Sequence, residues 1–137
     1  MEFRDLGGKR FIQRPGIDVD DLDETESLLK GEFDLRLERI SEADQAAITG
    51  EGALTRCLLE GLDLTESRLS PLTLDDVALH RVTLNNAQWI CVTARRVELI
   101  GCQAIGWNFG CDLATDVYAS DCRFDYAQLA IERTKGL

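Results

Sequence analysis

Five cysteines (Cys57, Cys91, Cys102, Cys111 and Cys122) and one histidine, His80, are the residues best suited to ligate a metal or act as nucleophile and base. A zinc site needs thiolates or imidazoles in closely spaced pairs. No two of these cysteines form a C-x-x-C pair, and a lone histidine cannot supply the missing ligands. Nucleophilic catalysis needs a base aimed at its nucleophile. No GxSxG, P-loop or GxGxxG accompanies His80. The sequence therefore predicts no catalytic residue, metal or cofactor, and the chain reads as a non-enzyme. Cys57, Cys102 and Cys122, at inward positions, read as small apolar filler instead.

Composition narrows the class further. The chain has 137 residues with 15 Lys and Arg against 25 Asp and Glu, a formal net charge of −10. This charge opposes direct binding to nucleic acid or to an anionic membrane surface. No apolar run is long enough to span a bilayer, and the N-terminus lacks the apolar core of a secretory signal. An odd number of unpaired cysteines agrees with a reducing compartment. The expectation is a cytoplasmic protein.

Residues 1–50 are expected to form a small α/β capping segment. KRFIQ (residues 9–13) suggests a short strand that Pro15-Gly16 ends. An acidic run, DVDDLDETE (residues 18–26), precedes SLLKG. With Leu22, Leu28 and Leu29 on one helical face and acids in the first turn, it predicts a short helix over residues 21–30. Phe33, Leu35 and Leu37 alternate with polar residues, which predicts a strand over residues 33–40.

From residue 51 a different rule takes over. Starting at Leu54, an apolar residue falls on every fifth position: Leu54, Leu59, Leu64, Leu69, Leu74, Leu79 and so on to Phe124 and Leu129, over about sixteen repeats. Two positions before each sits a mostly small or apolar residue, such as Cys57, Leu62, Val77 or Val82. A period of five fits neither a helix nor a flat strand. It fits a coil whose short sides each point two residues inward. Four sides close one turn of twenty residues, so residue k lies under residue k+20, and successive turns pair as parallel strands about 4.8 Å apart.

LDLTE (residues 62–66), CLLEG (57–61), WNFGC (107–111) and CRFDY (122–126) carry the resemblance. The stretch is similar to the pentapeptide-repeat family, over about 80 of the 137 residues. The resemblance implies an all-β fold, a right-handed, four-sided (quadrilateral) parallel β-helix solenoid of about four coils over residues 51–131. Residues 132–137 are left as a tail. Some members of that family mimic DNA with an acidic rod. They bind type II topoisomerase (DNA gyrase) and protect it from quinolones or peptide toxins.

The twenty-residue columns make specific expectations. Trp107 points inward between Ala87 and Ala127, as a core anchor. Asp112 points inward and is held by turn backbone. Arg56, Asp76, Arg96 and Asp116 form a charge ladder on a solvent face. His80 lies above Glu60 as a surface pair. Pro71, Cys91, Cys111 and Ile131, with Ile90 beside them, form an apolar stripe that residues 1–50 or a partner cover. Cys91 and Cys111 lie within disulfide reach, which a reducing compartment disfavours. Gly61, Gly101, Gly106 and Gly110 fall at corners.

The last coil ends near Ile131 with too little chain beyond it for a capping helix. Either two copies meet end to end through Phe124, Tyr126 and Leu129, or the rod continues. The primary functional expectation is a non-catalytic protein–protein interaction module of unknown partner. The alternative is the topoisomerase modulator. Charge weakens it: residues 51–137 hold 12 acids against 8 bases, far closer to balance than the whole chain.

Overall fold

The computed structural model describes residues 3–5, 11–13, 15–17, 22–25, 29–41, 45–131 and 134–135. Two short strands, β1 (Phe3–Asp5) and β2 (Phe11–Gln13), pair antiparallel. All other strands join one parallel stack: β3 (Asp23–Thr25), β4 (Gly31–Arg36), β5 (Glu38–Ile40), β6 (Thr49–Thr55), β7 (Leu58–Glu60), β8 (Arg68–His80), β9 (Gln88–Ile100), β10 (Asn108–Ser120), β11 (Gln128–Ile131) and β12 (Thr134–Lys135). The architecture is an all-β solenoid of about four turns. No helix among the described residues is long and apolar enough to cross a membrane.

The expected twenty-residue register is the observed one. Leu54 pairs with Leu74, Leu74 with Ala94, Ala94 with Ala114, and Ala114 with Thr134. Most pentapeptides put the first and third residues inside and the fifth at a corner; Asp112 and Ala119 are exposed, and Pro71 and Cys111 do not take the corner conformation. The corner is a backbone conformation rather than a residue type. Arg56, Gly61, Glu66, Asp76, Arg81, Asn86, Cys91, Arg96, Gly101, Gly106, Asp116, Asp121 and Tyr126 all have φ between 51° and 68°. A left-handed residue that is not glycine costs about 1–2 kcal/mol, so the strain recurs around every turn. Parallel pairing and core burial offset it. Gly61, Gly101 and Gly106 adopt this corner as expected, but Gly110 does not.

The core changes character along the rod. Its N-terminal half is leucine: Leu54, Leu59, Leu62, Leu64, Leu69 and Leu72 are all buried. Its C-terminal half combines aromatics with alanines. Trp107 is 3% exposed, as expected of a core anchor. Its ring meets Trp89 edge-on at 5.6 Å and lies 4.6 Å from Phe109 and 6.4 Å from Phe124. Ala87, Ala94, Ala104 and Ala114 make the space for these rings.

The N-terminal segment departs from expectation. The described residues 22–25, 29 and 30 of the helix expected over residues 21–30 are not helical. Asp23–Thr25 is a strand pairing in parallel with Glu38–Ile40, and the Asp23 N–H donates to the Leu37 carbonyl. An open sheet edge satisfies these backbone groups at once, whereas an isolated helix this short must meet the cost of its own nucleation. Residues 18–21 and 26–28 of that stretch lie outside the described residues. The strand expected over residues 33–40 breaks at Leu37, whose φ is 52°, into β4 and β5.

The solenoid also starts earlier than the five-residue rule indicates. β4 pairs with β6 over six residues, Gly31 with Gly50 through Arg36 with Thr55. Leu35 lies under Leu54, a separation of 19 rather than 20. Inward positions then run Leu35, Ile40, Gln45 and Gly50 before jumping to Leu54. One residue fewer in this turn throws the pattern out of phase. A buried glutamine hides it further: the Gln45 side chain accepts the Leu29 N–H at 2.8 Å. At the other end, Thr134 and Lys135 keep the register over Ala114 and Thr115, where a tail was expected.

Candidate functional site

The expected apolar stripe is broken at Cys111. In the coil below, Cys91 sits at a left-handed corner and is exposed. In the next coil the corner is lost and the register shifts, so that Cys111 pairs with Val92. Cys111 is 1% exposed and Asp112 is exposed. The expected orientations of both residues are thus reversed. Burying an ionised carboxylate without a partner costs far more than burying a thiol, so the strand bulges to exchange them. Cys91 and Cys111 do not face one another, and all five cysteines among the described residues are free thiols. Ile90 is half-buried beside Cys91.

Phe124 is half-buried against the core, and Tyr126, at its left-handed corner, is 92% exposed. Leu129 and Ile131 continue the sheet opposite Phe109 and Cys111, and their side chains are outside the description. The structure thus gathers Phe124 and Tyr126 on the last coil but leaves Ile90 and Cys91 on another edge of the rod.

The charge ladder is present, and one rung is unlike the expectation. Arg96 Nη2 reaches Asp76 Oδ2 at 2.7 Å and Asp75 Oδ1 at 3.1 Å, while Arg96 Nε also donates to Asp76. Asp76 is 5% exposed rather than on a solvent face. Its second oxygen partner comes from outside the coils: the Gly16 N–H donates to Asp76 Oδ1 at 2.8 Å. Burial alone would raise the Asp76 carboxyl. The Arg96 and Gly16 hydrogen bonds and the charges of Arg96 and Arg56 outweigh it and hold the group below its ordinary value. A carboxylate depressed in the folded state stabilises above its unfolded value, near pH 4, and loses that contribution as pH falls through the folded value. Wild-type denaturation midpoints are therefore expected to fall on acidification below about pH 4, and those of Asp76→Asn to fall less. Equal acid sensitivity in urea titrations would refute this role.

His80 stacks over Glu60 in the backbone register, as expected. Its ring does not pair with that carboxylate. His80 Nε2 lies 3.1 Å from Glu98 Oε1, and Glu98 is buried. Glu60 is taken instead by Arg39 at 3.1 Å and Arg81 at 2.8 Å. Longer guanidinium arms reach across the coil boundary to the carboxylate more readily than an imidazole does.

The inward thiols show one recurring contact. Cys57 Sγ donates to the Leu35 carbonyl, Cys102 Sγ to Leu79 and Cys122 Sγ to Leu99, each at 3.3 Å. Each reaches the coil below. Burial pushes the Cys57 and Cys111 thiols up, and burial beside Cys122 pushes Cys102 up to about 12. Since the thiolate is the reactive form, brief alkylation of the native protein is expected to label Cys91 while Cys57, Cys102 and Cys111 stay unlabelled until denaturation. Peptide mass spectrometry reads this directly. Labelling of Cys111 at the rate of Cys91 would contradict its inward placement.

Two shallow grooves are lined by described residues. One of about 480 Å³ is lined by Ala47, Thr49, Glu66, Arg68, Asn86 and Gln88. The other, of about 320 Å³, is lined by Glu32, Phe33, Glu51, Gly52, Pro71 and Thr73. No group of three or more metal-ligating side chains exists among the described residues. The position least visible in sequence is the Gly16–Asp76 contact. Gly16 donates through its backbone, so no side-chain pattern marks it. No family model matches the chain, and no curated protein matches it.

Proposed function

We propose that the chain is a non-catalytic protein–protein interaction module, a pentapeptide-repeat rod that offers fixed rows of side chains to a partner. The observation that carries this reading is the register of its uncovered sides. Arg68, Gln88, Asn108 and Gln128 stand in line on one side, and Asp63, Thr83, Gln103 and Arg123 on the next. Parallel pairing spaces such rows about 4.8 Å apart. Solenoids use extended surfaces of this kind for recognition. The charged groups nearest one another are joined in ion pairs: Arg96 with Asp76, Arg39 and Arg81 with Glu60. Such pairing suits a scaffold better than a reacting centre.

The test is affinity capture with the wild-type rod and with a Gln88→Lys, Asn108→Lys variant whose circular dichroism is unchanged. A partner retained by wild type and lost from the variant supports the reading. Identical profiles from the two proteins overturn the assignment to this row. A supercoiling assay with DNA gyrase tests the specific partner that the family resemblance implies. Light scattering tests end-to-end pairing through the last coil, which a strict monomer would rule out.

A further inference from the structure

One corner of the rod carries a knob at one end and a groove at the other. Ala47, Glu66, Asn86, Gly106 and Tyr126 follow one another up this corner, all with φ between 57° and 68°. The N–H groups of the first four each donate to a carbonyl of the coil above. At the top, Tyr126 is 92% exposed, the most exposed large hydrophobic side chain among the described residues. At the bottom, the groove of about 480 Å³ runs from Ala47 to Asn86 and is roomy enough for a phenol ring. Its walls include Glu66 and Arg68, which make no ion pair among the described residues. The next side of the rod bears Asp63, Thr83, Gln103 and Arg123 in register. Its acid lies at the groove end and its base at the Tyr126 end.

We propose that two copies of the chain pack antiparallel along this corner, with Tyr126 of each seated in the Glu66–Arg68 groove of the other and Asp63 of each paired with Arg123 of the other. Rungs of the stack recur about every 4.8 Å. A two-fold axis across the rod, between the levels of Thr83 and Gln103, brings Tyr126 to the level of Glu66 and Arg123 to the level of Asp63. Asn86 then faces Gly106, which has no side chain to obstruct it. Such an interface is isologous, so each contact forms twice. The Tyr126 ring covers the Arg68 guanidinium while its hydroxyl donates to the Glu66 carboxylate. Within one chain, Asp63 holds Thr65 through Oδ1, and Arg123 holds Asp125 through Nη2. Asp63 Oδ2 and Arg123 Nε and Nη1 therefore remain for the pairing between copies. Parallel rods would set Tyr126 against Tyr126 and leave the groove empty, as would end-to-end stacking. The proposal deepens the interaction-module reading, on which it rests, by naming a second copy of the chain as the partner of this corner.

The corner is narrow, which places the dimer among small, weak interfaces, so its mass is followed by sedimentation up to about 1 mM protein. The wild-type mass is expected to rise with concentration from 15.3 kDa toward twice that value. Tyr126→Ser, Asp63→Arg and Arg123→Asp, each with unchanged circular dichroism, are expected to weaken association about tenfold or more, the last two by setting like charges together. An equimolar mixture of Asp63→Arg and Arg123→Asp is expected to associate again, because each copy then meets an opposite charge at both pairings. Recovery on mixing distinguishes a repaired interface from a folding defect. Three results would overturn the proposal. The wild-type mass could stay at 15.3 kDa throughout. Both charge variants could associate as well as wild type; if Tyr126→Ser alone fails, the copies meet end to end. Or the mixture could stay as weak as its components. The readout needs only this chain, so a monomer removes this contact and leaves the capture of other partners to decide the interaction-module reading.

Discussion

Gly52→Ala is expected to cost at least about 3 kcal/mol, clearly more than the same change at Gly61. Gly52 has φ of 156° and pairs with Phe33 of the coil below. A Cβ built there would lie 1.9 Å from the Phe33 carbonyl oxygen and 2.8 Å from its carbonyl carbon. Both are backbone atoms of a paired strand, so neither can swing away. Gly61 also has positive φ, but a Cβ there meets nothing within 4 Å. Its substitution costs only the left-handed conformation, about 1–2 kcal/mol. The position of Gly52 explains the difference. It lies where the 19-residue turn joins the 20-residue turns, and the shorter turn draws its backbone onto the coil beneath. Gly50 shows the same crowding, with a Cβ 2.8 Å from the Leu29 carbonyl oxygen. Urea denaturation of the two variants makes the comparison. Hydrogen exchange should show Gly52→Ala releasing β4 while β9 stays protected. Equal midpoints for Gly52→Ala and Gly61→Ala would refute the close approach.

Trp107→Ala is expected to cost about 3–5 kcal/mol. The ring links three aromatics across two coils, and the alanines around it are too small to refill the space. The two tryptophans should part company when replaced by phenylalanine. Trp89 Nε1 donates to Ser67 Oγ at 3.1 Å, and Ser67 is fully buried. Trp89→Phe leaves that hydroxyl without its donor, adding about 1–3 kcal/mol to the lost volume. Trp107 Nε1 is buried and has no hydrogen-bond partner among the described residues. Trp107→Phe removes an unsatisfied donor along with the volume, and the two effects oppose. The expected order of destabilisation is Trp107→Ala, then Trp89→Phe, then Trp107→Phe. Guanidinium denaturation monitored by circular dichroism tests it. Trp107→Phe exceeding Trp89→Phe would mean that the Ser67 bond contributes nothing.

The coil itself was legible because its rule is periodic: apolar residues at every fifth position allow one packing, and Leu54 under Leu74 follows. What escaped detection lies where that rule is broken by a single residue. The turn of 19 put Leu35, Ile40 and Gln45 out of phase with Leu54, so the first coil read as a separate strand. Cys111 and Asp112 are adjacent, and period alone assigns the inward place to the wrong one. Desolvation reverses the assignment. The corner conformation escaped for another reason. Arg56, Glu66 and Tyr126 have no special preference for positive φ, and only the stack imposes it. The Gly16–Asp76 contact was hidden because Gly16 donates through its backbone, which leaves no side-chain signature. The outward stripe of Cys91 and Cys111 looked continuous only because a regular register was assumed through the bulge.

The contact of β2 with β10 has a consequence for how the rod comes apart. A solenoid couples each coil only to its neighbours, so such a stack behaves as a one-dimensional chain that frays from its ends. Here β2 touches the level of β10 while β3 belongs to the level of β5. One covalent segment thus ties the last turns to the first. Fraying at either terminus must loosen a contact that the other terminus shares. The stack becomes a closed circuit, and its melting should be sharper than that of an untied rod of equal length.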